Sequence, residues 1–381
     1  MKKQLTVALG LAVLATPAFA SKARLLALGE DANGSFFIND NRNIFLNSAE
    51  ANNHADMVTF EWGENNSNDT DTNPNAEGGM LYSHKNLVYG IHLGRTTNFQ
   101  SVTNENNLYS PSNAIDLFVA GDAGFKWGAN LTYVESNDDT NAWTDGTNNT
   151  NGKADAQAID LNVGAIFGNA SVYVKAGLMG DGKVTQNDGT NDLRVKFDRD
   201  SEYEVGGSYK LNNYTIFAQV GMEEYTAKAG GKTTLENMFY QVGAARTERL
   251  SDKTMMFVKL SAVMSESESK NGVKTTEDTM AVPVSIGFEH DATSWLTLRG
   301  SVAQNLWSDQ ETKTGGVKTE RTLASSTSVN AGATLKLGDF NVDGLIGTGN
   351  NNAGQIANRD EQAGVLSMDN LMTRVSLTYR F

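Results

Sequence analysis

The chain has no cysteine in 381 residues, so no disulfide framework and no thiolate site supports it. Beyond its first residues it lacks any run of about 18 apolar residues, which excludes a membrane-crossing helix. Cationic side chains are outnumbered, 31 Lys and Arg against 45 Asp and Glu, for a net charge of −14. That balance argues against a nucleic-acid partner, which calls for a basic face. Histidine is scarce: His54, His84, His92 and His290 are all there are. None sits in H-E-x-x-H, and neither G-x-S-x-G nor a Walker A loop occurs, so neither an enzyme nor a cofactor is expected.

The start of the chain follows a different pattern. Lys2 and Lys3 precede the apolar stretch Leu5 to Ala15, and Ala18-Phe19-Ala20 is a small-x-small cleavage site. These three parts in order form a secretory leader, with cleavage expected after Ala20 and an exported product two charges more negative. The domain plan is a leader over 1–20, a pre-barrel segment over 21–55 and a barrel over 56–381.

What the chain has in abundance is alternation. Phe125, Trp127, Ala129, Leu131 and Tyr133 alternate with Gly124, Lys126, Gly128, Asn130 and Thr132. Leu87 to Gly94, Tyr214 to Met222, Met280 to Phe288 and Val329 to Leu337 repeat the pattern. Mean hydropathy is −0.40. A membrane chain this polar must be a closed barrel, with one face of each strand toward lipid and the other toward a polar lumen. Sixteen such segments begin near 56, 77, 86, 113, 123, 155, 169, 201, 213, 236, 253, 278, 294, 326, 339 and 370. Tight turns fall at 85–86, 122, 168–169, 212–213, 248–252, 290–293 and 338–339. Long polar loops lie at 64–76, 96–112, 136–153, 180–200, 226–235, 265–277, 306–325 and 349–369. Short and long connections alternate, as in an all-β transmembrane antiparallel barrel with both termini on one side. A soluble sandwich does not explain that rhythm.

Two features depart from it. Pro283 stands inside the twelfth strand, where a closed barrel has no free edge to excuse its missing N–H, and a bulge is expected there. Residues 21–56 carry Leu25-Leu26, Phe36-Phe37-Ile38 and Ile44-Phe45-Leu46, too much apolar surface for a solvated tail. The segment plugs the lumen, packs under the rim, or mediates assembly.

With Leu371, Val375, Leu377, Tyr379 and Phe381 at its end, the chain resembles Gram-negative general porins, and the resemblance covers the barrel. It implies that Leu377, Tyr379 and Phe381 form the signal read by the barrel-assembly machinery. Gly34 to Leu46, with Asp40-Asn41-Arg42-Asn43, and Thr59-Phe60-Glu61-Trp62-Gly63 resemble the start of major outer-membrane porins of Bdellovibrio-type predatory bacteria. The chain departs from trimeric enterobacterial porins in its long pre-barrel segment and in lacking the Pro-Glu-Phe-Gly-Gly motif of their constriction loop. The implied location is the outer membrane, among lipids and lipopolysaccharide, as a homo-oligomer. The implied activity is passive diffusion of ions and small hydrophilic solutes. The alternative is an occluded barrel that organises the membrane.

Following the alternation, Asp116, Asn130, Asp160, Asn162, Lys175, Glu204, Gln219, Gln241, Lys259, Arg299 and Arg374 point inward. Asp116, Asp160, Lys175, Lys259, Arg299 and Arg374 are the expected pore-lining charges. Lys175, Lys259 and Arg374 are expected to face Asp116, Asp160 and the third long loop across the channel. An equal reading is a ladder of ion pairs along the wall. Asn162 is expected opposite Lys175, with Asp160 diagonal to it. His92 also faces inward and is the first candidate for hydrolytic chemistry, although a plain polar wall residue is the simpler reading. Asp69 to Asn73 resembles the opening of a calcium loop, but Pro74 replaces its glycine, so no metal is expected; Asp138, Asp139 and Asp145 read as solvated loop. Phe118, Tyr173, Phe217, Phe239 and Phe257 share the inward face. They need a cover, or else the register is shifted by one.

Overall fold

The computed structural model describes residues 21–62, 76–105, 108–111, 113–144, 149–187, 192–322, 327–348 and 371–381. Sixteen antiparallel strands close into one barrel. They are β1 (Met57–Trp62), β2 (Ala76–His84), β3 (Leu87–Leu93), β4 (Asn113–Asp122), β5 (Lys126–Thr144) and β6 (Asn149–Phe167). Then come β7 (Ala170–Asn187), β8 (Asp192–Leu211), β9 (Tyr214–Ala229), β10 (Lys232–Ser251) and β11 (Thr254–Asn271). The remainder are β12 (Val273–Asp291), β13 (Leu296–Thr314), β14, β15 (Phe340–Thr348) and β16 (Leu371–Arg380). Strand β14 has two stretches, Val317–Thr322 and Thr327–Leu337, which pair with β13 in one continuous register. The barrel closes where β1 pairs with β16, Met57 against Arg380 through Trp62 against Val375, as the last-to-first pairing expected from the sequence requires.

Alternation decides the two faces. Leu117, Leu131, Val163, Val174, Val205, Ile216, Val242, Leu260, Ile286 and Val302 lie outward and are 40–60% exposed, an apolar band around the barrel. Their sequence neighbours point inward and are mostly buried. Aromatic pairs ring the turn end of the band: Phe125 stacks on Phe167 at 4.7 Å and Phe340 on Tyr379 at 4.5 Å. Phe381 lies over Tyr82 at 6.4 Å.

The short turns hold as expected; at Gly168-Asn169 the glycine takes φ +58°, a value open to it without a Cβ clash. Most of the expected long loops do not. Residues 136–153, 180–200, 226–235, 265–277 and 306–325 are largely paired strand, ending at Thr144↔Asn149, Asn187↔Asp192, Lys232↔Lys228, Asn271↔Val273 and Thr314↔Val317. These hairpins are polar on both faces, so the apolar alternation that marks a membrane strand fades while the backbone ladder continues. Cross-strand pairs such as Lys153 with Asp139, 2.7 Å, and Lys318 with Glu311, 2.7 Å, line them. Asp139 is thus a hairpin partner. Asp145 and the calcium-like stretch 69–73 lie outside the described residues.

Pro283 sits at a register shift between β12 and β13, where Leu306 is the extra residue, so the expected bulge is present. Other shifts occur at Thr140/Trp143 against β6, at Arg249/Ser251 against β11, at Ile159/Asp160 against β7 and at Arg199/Ser201 against β9, and none was legible in the sequence.

Candidate functional site: the barrel lumen

Residues 21–56 lie inside the barrel at its turn end. They fold as helix α1 (Lys22–Ala27), a short turn of helix α2 (Asn43–Leu46) and a 3-10 turn over Ser48–Asn53. Ser21 caps α1 through its hydroxyl, and Asn47 caps the 3-10 turn by accepting from the Ala49 N–H at 2.9 Å. Their apolar side chains meet the inward face of the wall. Phe45 packs edge-on against Phe118 and His92; Phe36 stacks on Phe217 at 4.9 Å and over Tyr173 at 6.3 Å; Phe37 leans on Phe257 at 5.2 Å. Ala23, Leu26 and Ala27 cover Leu345 on β15. Four of the five inward aromatics named from the sequence are therefore covered, and the register is not shifted. Covering each is worth roughly 1.5–3 kcal/mol.

The inward aromatics share a second device. Phe118, Tyr173, Phe217, Phe239 and Phe257 each face a glycine directly across the ladder: Gly90, Gly206, Gly243, Gly221 and Gly287. A Cβ on any of the last four would overlap the ring opposite. The rings lie flat over the neighbouring strand instead of standing into the lumen. Phe239, outside the reach of the segment's aromatic contacts, is accommodated this way alone.

Polar contacts tie the segment to the wall around the circumference. Asn47 Nδ2 donates to Ser171 Oγ (2.8 Å) and Val172 O (3.1 Å), Ser48 Oγ to Asn162 O (2.9 Å), and Asn52 Nδ2 to Trp127 O (3.0 Å). Asn162 Nδ2 returns a bond to Phe45 O at 3.1 Å. This approach is open because Gly128 and Gly164 pair with each other at that point, leaving no Cβ in the path of Ser48 and Asn47.

Three ionic clusters hold the rest. Arg42 donates to Glu77 (3.0 Å) and lies 3.5 Å from Glu61, while Lys22 also contacts Glu77. Arg24 pairs with Asp40 and Glu289, both at 2.9 Å, and Arg299 joins Glu289 (3.1 Å) to Asp343 (2.9 Å). Lys259 pairs with Glu30, whose carboxylate also accepts from Ser35 at 3.0 Å. Buried charges persist only when paired and hydrogen-bonded, so these clusters fix position more than they add stability.

The hairpin half is organised differently. Helix α3 (Asn98–Glu105), from the second long loop, lies against the inner wall. Phe99 and Val102 pack with Ala114, Val134, Ala156, Ala158, Phe197 and Tyr225 from five strands. Asn98 Nδ2 donates to Glu223 (2.6 Å) and Glu202 (3.2 Å). Arg199 lies over the Phe99 ring at 5.4 Å and pairs with Asp160 (2.7 Å) and Glu202 (2.8 Å). The inward-folded element is thus the second long connection; the third is the β5–β6 hairpin.

All six expected pore charges are on inward-facing positions, but they do not oppose one another across a channel. Asp116 is bonded by Arg95 (2.7 Å) and Thr132 (2.6 Å); Asp160 is held by Arg199; Lys175 pairs with Glu204 on the next strand at 3.0 Å. Lys259 and Arg299 belong to the segment's clusters. Arg374 faces inward on β16 opposite Leu345. Asn162 does face Lys175, with Asp160 diagonal to it opposite Gly177 as expected, but Asp160 is taken by Arg199 and Lys175 by Glu204. His92 is buried beneath Phe45, 3.9 Å from Glu77. Among the described residues no group of three or more His, Cys, Asp or Glu converges on a metal position.

The residues missed by sequence reading are Arg24, Arg42, Arg95 and Arg199 and their partners Glu30, Glu61, Glu77 and Glu289. Glu61, Glu77 and Glu289 lie on inward positions of their strands, and arginines within an apolar segment signal buried partners. Arg199 was masked by the bulge at Asp200, which resets the alternation.

No protein-family model matches the chain, and no curated protein sequence matches it. Among solved structures it is similar to OmpT, an outer membrane protein of Vibrio cholerae folded in vitro, at 13% identity over 86% of this chain and 97% of that one, TM-score 0.35. It is similar to a porin refined at 1.8 Å, at 13% identity over 85% and 99% of the two chains, TM-score 0.39. It is also similar to the toluene transporter TodX of Pseudomonas putida, at 10% identity over 93% and 96%, TM-score 0.38. The barrel itself rests on the strand register of this chain.

Proposed function

We propose that the chain is a channel-forming barrel of the Gram-negative outer membrane, passing ions and small hydrophilic solutes by diffusion along a path restricted by its own residues 21–56. The carrying observation is the width of the wall. Strands spaced ~4.8 Å apart and tilted roughly 40° give sixteen of them a backbone radius of roughly 16 Å, too wide for wall side chains to fill. The short turns then face the periplasm and the long hairpins the outside. Leu377, Tyr379 and Phe381 are proposed to be read by the assembly machinery. The outward stripe Val172, Val174 and Ala176 serves lipid or a second copy equally.

A second reading, a non-conducting structural barrel, is favoured by one observation: the segment bonds to the wall on nearly every side. Recordings from purified full-length protein in planar bilayers separate the two. Discrete small steps without saturation by solute support the channel. Silence from well-folded protein supports the structural barrel, and conductance gained on loosening the segment then identifies it as the closure.

A further inference from the structure

The first turn of α1 rests on one carboxylate. The Lys22 N–H donates to Glu61 Oε2 at 2.9 Å, and Ser376 Oγ on the closing strand donates to the same oxygen at 3.1 Å. The other oxygen, Glu61 Oε1, is buried and accepts no hydrogen bond. Arg42 stands 3.5 Å from it but spends its short bond on Glu77, which also takes Lys22. In the same row across the seam Asp343 faces Ser376, and Asp343 Oδ2 is likewise buried without a donor. A buried carboxylate oxygen that accepts no hydrogen bond is costly even with a guanidinium 3.5 Å away, and one further donor at Glu61 would lower that cost.

A further nitrogen lies one residue away. Ser21 is fully buried and extended, with φ −165° and ψ 163°, directly before Lys22. Successive residues are ~3.8 Å apart, so the Ser21 nitrogen lies within one such step of the nitrogen that already bonds Glu61. We propose that the α-ammonium freed on Ser21 by cleavage after Ala20 is a built-in cation of the lumen that pairs with Glu61 at the β1–β16 seam, so that leader removal completes the seating of the segment.

The chemistry balances with water alone. Hydrolysis of the Ala20–Ser21 amide adds hydroxide to the Ala20 carbonyl, leaving a carboxylate, and delivers the proton to the Ser21 nitrogen, which takes a second from solvent. A neutral amide with one N–H becomes a cation with three donors. Before cleavage the nitrogen carries no charge, and the chain upstream must still pass through this position. After it, one ammonium joins the segment to the two strands that close the barrel. Processing, seating and closure thus meet at Glu61. The inference is independent of whether the seated barrel conducts.

The test uses the mature protein folded in detergent. Periodate oxidises the amino alcohol of an amino-terminal serine and leaves internal serines untouched, so mass spectrometry reads Ser21 directly. Oxidation at least about tenfold slower in the folded barrel than in urea is expected. Glu61→Gln should bring the folded rate close to the unfolded one while circular dichroism remains that of a barrel. Where that variant does not fold, Glu61→Asp, which draws the carboxylate back by one methylene, should give a smaller acceleration. A mature chain that begins elsewhere, equal rates in folded and unfolded protein, or folded Glu61 variants with unchanged protection overturns the proposal.

Discussion

The two halves of the lumen are filled by different physics. At the turn end a segment from outside the barrel's strand order crosses the interior and is fixed by buried ion pairs, Arg24 with Asp40 and Glu289, Arg42 with Glu77, Lys259 with Glu30. At the hairpin end a connection between adjacent strands folds back, and Phe99 and Val102 bury it against Phe197 and Tyr225, with Asn98 bonded to Glu223 and Glu202 at its start. An element joined to the sheet at one end, through β1, needs directional partners to settle its position. An element tethered at both ends by β3 and β4 needs only a place to bury its ring. The first kind of filling is specified by charge and is sensitive to any lost partner; the second is specified by shape and yields locally.

That contrast predicts unequal responses. Arg42→Met should have the largest effect, because it removes the short bond to Glu77 and the guanidinium facing Glu61, leaving Lys22 alone between two buried carboxylates; losing one partner of a buried pair costs about 3–5 kcal/mol. Urea unfolding should shift to lower midpoint by that amount, and conductance should rise as the segment loosens. A midpoint close to wild type would remove the distinction between the halves. Phe99→Ala should cost about 3 kcal/mol at its own site. It should increase proteolysis at α3 without releasing residues 21–56, and cleavage within the segment would show that the halves are coupled.

The smallest expected effect is on pH. His54, at the end of the segment, is buried, and burial first, then the nearby Arg380, Arg24 and Lys126, pushes its imidazole down to about 3. An unfolded histidine titrates near 6.5. The folded value is the lower one, so its contribution to seating is fully present above about 6.5 and declines as pH falls from there toward 3. Conductance or protease access to the segment should increase through that window in the wild type and flatten in His54→Leu. An unchanged slope in the variant assigns the pH response to other groups.

Much of this was readable in advance, for a reason visible in particular residues. Leu131 and Asn130 differ in polarity because one meets lipid and the other the lumen, so period-two alternation exposes strand, face and seam together. The hairpin extensions were read as loops because Lys153 and Asp139 are solvated on both faces, and the backbone ladder leaves no mark on side-chain polarity. Arg199 fell within the expected loop 180–200, and the bulge at Asp200 resets the alternation there, so its inward direction and its pairing with Asp160 left no periodic sign. The glycines across from Phe217 and Phe257 were in plain view, but opposition across a ladder depends on register, which only pairing supplies.

The sequence by itself determined an antiparallel transmembrane barrel of sixteen strands, the pairing of its first and last strands, and the inward direction of Asp116, Asp160, Lys175, Lys259, Arg299 and Arg374. These are local consequences of polarity repeating every second residue. Only the tertiary structure decided what those charges meet. Lys259 finds Glu30 and Arg299 shares Glu289 with Arg24 because residues 21–56 fold into the lumen, and contacts between residues more than two hundred positions apart leave no periodic trace in a chain.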